Sequence, residues 1–231
     1  MMQKPIAILV TGRTYPSISD TFGGFDDWIA AALDGMPFQK IAICDGAALP
    51  DPSTLAGAII TGSHAMVTDR APWSEDLASW LRQAVSGNLP LLGICYGHQL
   101  VAHAFGGHVG SRVRGIEFGT VSVTLTHAAT EDAVFGTLPA TFPAHVVHLQ
   151  SVLALPPEAT VLGYSAGDPH QIIRFAARVW GVQFHPEFAA GVIAGYAQEL
   201  GLPPQGARRE TTAARNVIGR FARLDLAATS A

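Results

Sequence analysis

Short aliphatic runs recur through the first hundred residues, each pair separated by room for one amphipathic segment. This alternation constrains the fold more than any other feature. Ile6 to Val10, Lys40 to Cys44, Gly57 to Thr61 and Pro90 to Ile94 read as strands. Strands buried on both faces carry continuous apolar runs, and such runs alternating with helices make a parallel sheet covered on both sides. Gly24 to Leu33 and Ser74 to Ser86 are the intervening helices, the second with Ser74 as its expected cap after Pro72. A further helix is predicted from just after Cys95 to about Phe105.

The middle of the chain changes character. Phe118 to Thr126, Ala144 to Pro156, and the runs HQIIRFAA and RVWGVQFHPE are rich in β-branched residues with turns between them. They predict a mixed or antiparallel addition to the sheet. Helical spacing returns at Gly191 to Leu200 and at Ala207 to Leu226. No repeat, low-complexity segment or long linker interrupts the chain, so one domain is expected over residues 1–231.

Composition narrows the function classes. With 231 residues, 48% of them hydrophobic and 14% charged, the chain can bury a large core. A net charge of -4 without runs of like charge offers no footprint for nucleic acid or an anionic membrane, and Arg208-Arg209 is too short to make one. The N-terminal MMQKPIAILVTG reads as a first strand and not as a signal peptide, and no apolar stretch approaches a membrane span. Two cysteines, Cys44 and Cys95, are too few for a disulfide framework or a cysteine-rich zinc site. A reducing cytoplasm is the expected compartment. His98 and His103, five apart, do not share a helix face as a zinc pair would, and His64, His127, His145 and His170 are scattered, so no metal is expected.

One stretch carries chemistry. In Gly93-Ile94-Cys95-Tyr96-Gly97 a buried strand runs straight into a helix, with a nucleophile type at the bend and glycine two residues to either side. That is the layout of a nucleophile elbow. The turn strains the central residue, and its neighbours must lack Cβ so that strand and helix can approach. The bend also presents the Tyr96 amide to whatever Cys95 attacks, and the helix N-terminus favours the thiolate. A buried structural cysteine is the competing reading of Cys95 taken alone. A nucleophilic thiol needs a base and an orienting group. GVQFHPE supplies His185 and Glu187 two residues apart, on the same side if the chain there is extended, with Pro186 keeping the pair out of a helix.

LLGICYGHQL and GVQFHPE, in this order, resemble the two signature motifs of the class I, triad-type glutamine amidotransferases. In detail the chain is most similar to the amidotransferase domain of GMP synthases and to stand-alone proteins related to it, from the first strands through AIITGSHAMV, GIEFGTVSV and VVHLQSVLALP. The resemblance implies a flavodoxin-like open, mainly parallel sheet and a triad of Cys95, His185 and Glu187. That triad would hydrolyse the glutamine side-chain amide to glutamate and ammonia through a γ-glutamyl thioester, without a cofactor. The Tyr96 amide is one expected oxyanion donor. The resemblance places the second in the turn after the third strand, where Gly62-Ser63-His64 stands in place of the family's two glycines and a proline, so the Ser63 N–H takes that part. Gln99 and Gln150 are the implied substrate contacts. The family often has an acidic residue at the position of Gln150, where it helps to bind the substrate's α-amino group.

The chain shows no phosphate-cradling Gly-rich Lys motif for activating an ammonia acceptor. The expected partner is therefore a separate synthetase subunit, with glutamine or a γ-glutamyl compound as substrate. Two other readings stay open: a γ-glutamyl hydrolase or peptidase using the same triad, to which the neutral Gln150 leaves room, and a non-catalytic regulatory or scaffold protein.

Overall fold

In the computed structural model, which describes residues 3–203 and 210–224, strand β1 (Ile6–Val10) runs parallel to β2 (Phe38–Ala42) on one side and to β3 (Gly57–Ile60) on the other. Next come β4 (Leu91–Ile94) beside β3 and β11 (Val179–Val182) beside β4, all parallel. The sheet then turns antiparallel through β10 (Ile172–Ala176), β9 (Thr160–Tyr164), β6 (Glu117–Leu125) and β7 (Thr141–His148), completing the order β2-β1-β3-β4-β11-β10-β9-β6-β7. This is the doubly wound α/β arrangement with an antiparallel extension that the runs predict. Its 2-1-3-4 start places the topological switch beside β1, where open α/β sheets bind ligands at the carboxyl ends of their strands.

Side chains alternate across β1. Ile6, Ile8 and Val10 join Ile29 and Leu33 of α2 (Phe25–Ala32 and its cap) and Phe221 of α6 (Thr212–Ala222) in one core layer. Ala7 and Leu9 face the other way, toward Leu77 and Leu81 of α3 (Pro72–Ser86) and Leu100 of α4 (Tyr96–Ala104). Apolar residues on both faces explain why the central runs are continuous. A third cluster joins α1 (Pro16–Phe22) to α5 (Ala190–Leu200) through Ile18, Phe188 and Ile193, beside the carboxyl ends of the strands.

Several boundaries differ from the expectation. The second strand ends at Ala42, because Ile43–Asp45 closes into a 3-10 turn capped by Gly46 at φ 86°. Helix α3 begins at Pro72 with Ala71 as its cap, and the Ser74 hydroxyl is spent on the Tyr96 hydroxyl at 2.6 Å. The run Ala144 to Pro156 is not one strand. It breaks at Leu149 into β7 and β8 (Gln150–Ala154), and β8 leaves the main sheet to pair with β5 (His108–Ser111). Helix α1 and strands β5 and β9 were not anticipated. Of the last expected helix, residues 207–209 and 225–226 lie outside the described residues.

Candidate active site

The elbow forms as its glycines require. Cys95 sits between β4 and α4 at φ 50°, ψ -97°, a strained conformation for a residue with a side chain, and its N–H donates to Val182 O at 2.8 Å. A Cβ on Gly93 would lie 2.5 Å from the carbonyl carbon of Gly97, and one on Gly97 would collide with the Ile60 carbonyl. Both glycines are therefore close-approach positions. Gly97→Ala is expected to destabilise the fold by about 1–3 kcal/mol, because backbone cannot yield as a flexible side chain can. A lower urea midpoint checks this, and an unchanged one would refute it.

His185 and Glu187 lie beyond the end of β11, and the structure corrects how they meet. The strand stops at Val182, so they do not project from one face of an extended segment. Pro186 and Glu187 form a turn in which Phe188 N–H donates to His185 O at 3.4 Å, and this brings His185 Nδ1 to 2.7 Å from Glu187 Oε1. The His185 N–H donates to His145 O at 2.8 Å, and Phe188 stacks on its ring at a centroid distance of 4.0 Å. Both residues are buried. Burial opposes a charge on the imidazole, but the Glu187 carboxylate and the Cys95 sulfur outweigh it and push the His185 pKa up to about 10. The other ring nitrogen, Nε2, has no hydrogen-bond partner among the described residues, and the Cys95 thiol points at Val147 O at 3.8 Å.

The turn after β3 closes over this ring. A Cβ on Gly62 would lie 3.0 Å from His185 Cε1 and 3.3 Å from Phe25, which is why glycine occupies the position. Ser63, where the related motif has a second glycine, uses its hydroxyl locally: it donates to Thr11 O at 2.8 Å and accepts from Ala65 N–H at 3.0 Å. The Tyr96 N–H is the first of α4 and has no helical partner of its own.

Cys95, Tyr96, Ser63, Gln99, Gln150 and His185 all line one solvent-open pocket. Glu187 and Gly62 are not part of the lining, and both lie against His185. Gln99 reaches the pocket, but its amide nitrogen is committed to Gln150 O (2.8 Å) and Gln183 Oε1 (3.0 Å), so only its oxygen can address a ligand. Gln150 donates to Thr68 Oγ1 at 2.6 Å and keeps a buried Oε1 without a partner. Among the described residues, Asp, Glu, Lys and Arg are absent from this lining.

Three contributors escaped the sequence reading. His64 lines the pocket, 3.2 Å from the Tyr196 hydroxyl, which in turn accepts from Thr14 Oγ1 at 2.8 Å. Burial and then the neighbouring His185 lower the His64 pKa. Tyr15 packs on the His64 ring at 4.5 Å. These residues come from the entry to α1, the β3 turn and α5, and no local pattern links them. His98 and His103 do not meet: His98 is buried against Phe175, and burial lowers its pKa to about 3, whereas His103 pairs with Glu75 at 3.1 Å.

Behind the Gln150 wall, Glu117, His148 and Asp168 place three ligand-type atoms within 4.8 Å of one another. Arg112 lies 3.3 Å from both carboxylates, and His148 Nε2 is 2.8 Å from Glu117. Burial alone would raise the Glu117 pKa, yet His148 and Arg112 hold it below the usual range. With Arg112 already supplying positive charge, the group fits an ion-pair network better than a cation site. Through Nδ1, His148 bonds Gln150 O at 2.9 Å and so braces the pocket wall. No helix among the described residues is long and apolar enough to cross a membrane.

The chain is similar to known proteins in both sequence and fold. The chain is 28% identical over 193 residues to gamma-glutamyl peptidase 5 of Arabidopsis thaliana, covering 80% of this chain and 76% of that one. It is 40% identical over 103 residues to a glutamine-hydrolyzing GMP synthase subunit of Pyrococcus abyssi, covering 44% of this chain and 53% of that one. The fold matches a glutamine amido transferase from Methylobacillus flagellatus with a TM-score of 0.76 at 22% identity, over 97% of this chain and 95% of that one. The family model for glutamine amidotransferase class-I matches residues 50–195, most of the chain, and the protein belongs to that family.

Proposed function

We propose that the protein hydrolyses the side-chain amide of glutamine through a γ-glutamyl thioester on Cys95 and passes the ammonia to a separate synthetase subunit. The observation that carries this reading is the convergence, in one pocket, of a strained elbow cysteine with a buried His185–Glu187 pair. The Cys95 thiolate attacks the glutamine Cδ, a C–S bond forms, and the carbonyl electron pair moves onto oxygen. The Tyr96 and Ser63 amides hold that oxyanion. As it collapses, the C–N bond breaks and His185 Nε2 gives its proton to the departing ammonia. Water then loses a proton to His185 and attacks the thioester, releasing glutamate and the thiolate. Glu187 fixes the imidazole tautomer throughout. The unpartnered Gln150 Oε1 supports a role as acceptor for the substrate's α-ammonium. The match to the Pyrococcus abyssi GMP synthase subunit supports an acceptor carried on a different chain.

A second reading is favoured by two observations. The match to gamma-glutamyl peptidase 5 spans more of the chain than the match to the GMP synthase subunit, and the pocket offers a neutral amide where an acidic group would select free glutamine. On this reading the same thioester forms from a γ-glutamyl peptide. Purified protein incubated with glutamine and with γ-glutamyl peptides separates the two. Ammonia and glutamate release from glutamine supports the first, cleavage of peptides alone supports the second, and turnover of neither sinks both.

A further inference from the structure

Two neighbouring parallel strands end in the same dipeptide: β1 runs into Thr11-Gly12 and β3 into Thr61-Gly62. Both threonines are buried. Thr11 N–H donates to Thr61 Oγ1 at 3.0 Å, and Thr61 Oγ1 donates its hydrogen to Gly62 O at 2.9 Å. Thr11 Oγ1 lies 3.0 Å from Thr61 O and 3.2 Å from Gly62 O, so its single hydrogen is shared between them. Ser63 closes the ring by donating to Thr11 O, and Gly12 leaves space for it, since a Cβ there would lie 2.9 Å from Ser63 Cα. Thr61 O also accepts from Gly97 N–H at 3.2 Å, which ties the turn to the elbow helix.

The consequence follows from peptide geometry. No peptide bond described is cis, so the Gly62 carbonyl and the Ser63 N–H point in opposite directions. A carbonyl held toward the threonine hydroxyls turns the N–H away from them, while Ser63 itself lines the pocket that holds Cys95. We infer that Thr11 and Thr61 form a hydroxyl latch that keeps the Gly62–Ser63 peptide in the orientation that presents the Ser63 N–H to the oxyanion, so that the hole stands assembled without a partner subunit. The inference rests on the γ-glutamyl thioester reading and adds two positioning residues to it. With Ser in place of a second glycine the turn has fewer accessible dihedrals, and the latch selects among them. The latch also bears on regulation: hydrolysis proceeds on the isolated chain, and a synthetase receives ammonia without first switching the site on.

The test compares Thr61→Val, which keeps the shape and removes the hydroxyl, with Thr61→Ser, which restores it, and adds Thr11→Val as an independent probe. Two rates are measured on each: turnover of the γ-glutamyl substrate that the wild type cleaves, and alkylation of Cys95 by iodoacetamide, a displacement at carbon that forms no oxyanion. The latch predicts that Thr61→Val lowers kcat by about 10- to 100-fold with KM within about twofold, less than the roughly 10²- to 10³-fold that outright loss of one oxyanion donor costs, because the Ser63 N–H is misaligned and not removed. Alkylation should stay within about twofold of wild type, and Thr61→Ser should recover most of the lost kcat. Thr11→Val should lower kcat in the same direction and serves alone if Thr61→Val does not fold. Wild-type kcat in both valine variants overturns the latch, as does alkylation that falls in step with turnover. A wild type that cleaves no γ-glutamyl compound overturns the underlying reading, and the latch with it.

Discussion

Replacing Cys95 with alanine is expected to lower kcat on the best γ-glutamyl substrate by about 10⁴-fold or more, the scale seen when the nucleophile of a covalent hydrolase is removed. The fold should persist, because alanine fits the volume of a residue that is 6% exposed and makes one weak sulfur contact at 3.8 Å. Far-ultraviolet circular dichroism and the urea midpoint check the fold, and ammonia release checks the rate. Activity within about tenfold of wild type would remove the thiol from the chemistry. Cys44 provides an internal comparison. It lies outside the pocket next to Asp45, and burial followed by that carboxylate raises its pKa, so Cys44→Ala should leave turnover unchanged.

Glu187→Gln should lower kcat by about 10²- to 10⁴-fold, because an amide can offer an N–H to Nδ1 and hold the ring in the wrong tautomer. It should also change how stability depends on pH. The folded-state pKa of His185 lies near 10, above its ordinary value of 6.5, so the protonated ring binds its environment more tightly in the native state. A raised pKa contributes stability that is fully present below 6.5 and is lost as the pH climbs from there through 10. The Glu187 carboxylate contributes most to raising it, against the opposing effect of burial. The wild type should therefore lose melting temperature across that window more steeply than Glu187→Gln. Parallel curves for the two proteins would show that the carboxylate does not hold the imidazolium.

How much of this was legible depended on whether the signal was local. The elbow was readable because its requirements fall within five residues: an aliphatic strand, a nucleophile and two glycines, each of which meets backbone at 2.5 Å or closer when given a Cβ. His185 and Glu187 were readable as a pair, but not the turn that joins them, since a Pro-Glu step at a strand end allows either an extended or a folded path. Gln150 was placed at the pocket by resemblance, yet the break at Leu149 that sends β8 to a separate sheet left no mark in a run that reads as one strand. His64, Tyr15 and Tyr196 were invisible. They are far apart in sequence, and only the docking of α1 on α5 brings them to one wall. The paired Thr-Gly endings were present in the sequence, but their meaning needs β1 and β3 to be neighbours, which is a property of strand order and not of either segment.

The pocket's electrostatics have a similar origin. One histidine whose pKa is raised beside a second whose pKa is lowered follows from burial and from the neighbouring charged groups, neither of which the sequence displays. The two rings are set apart within one cavity: the Glu187 carboxylate favours a proton on His185, while burial and His185 disfavour one on His64, which faces the Tyr196 hydroxyl at 3.2 Å.

The covalent intermediate is the centre of the account, and acid quenching during turnover followed by peptide mass spectrometry tests it most directly. The account predicts a γ-glutamyl adduct on the peptide that carries Cys95, absent from the peptide that carries Cys44 and lost when the substrate is exhausted. Turnover at the wild-type rate with no adduct at Cys95, or with the adduct on another residue, would contradict it.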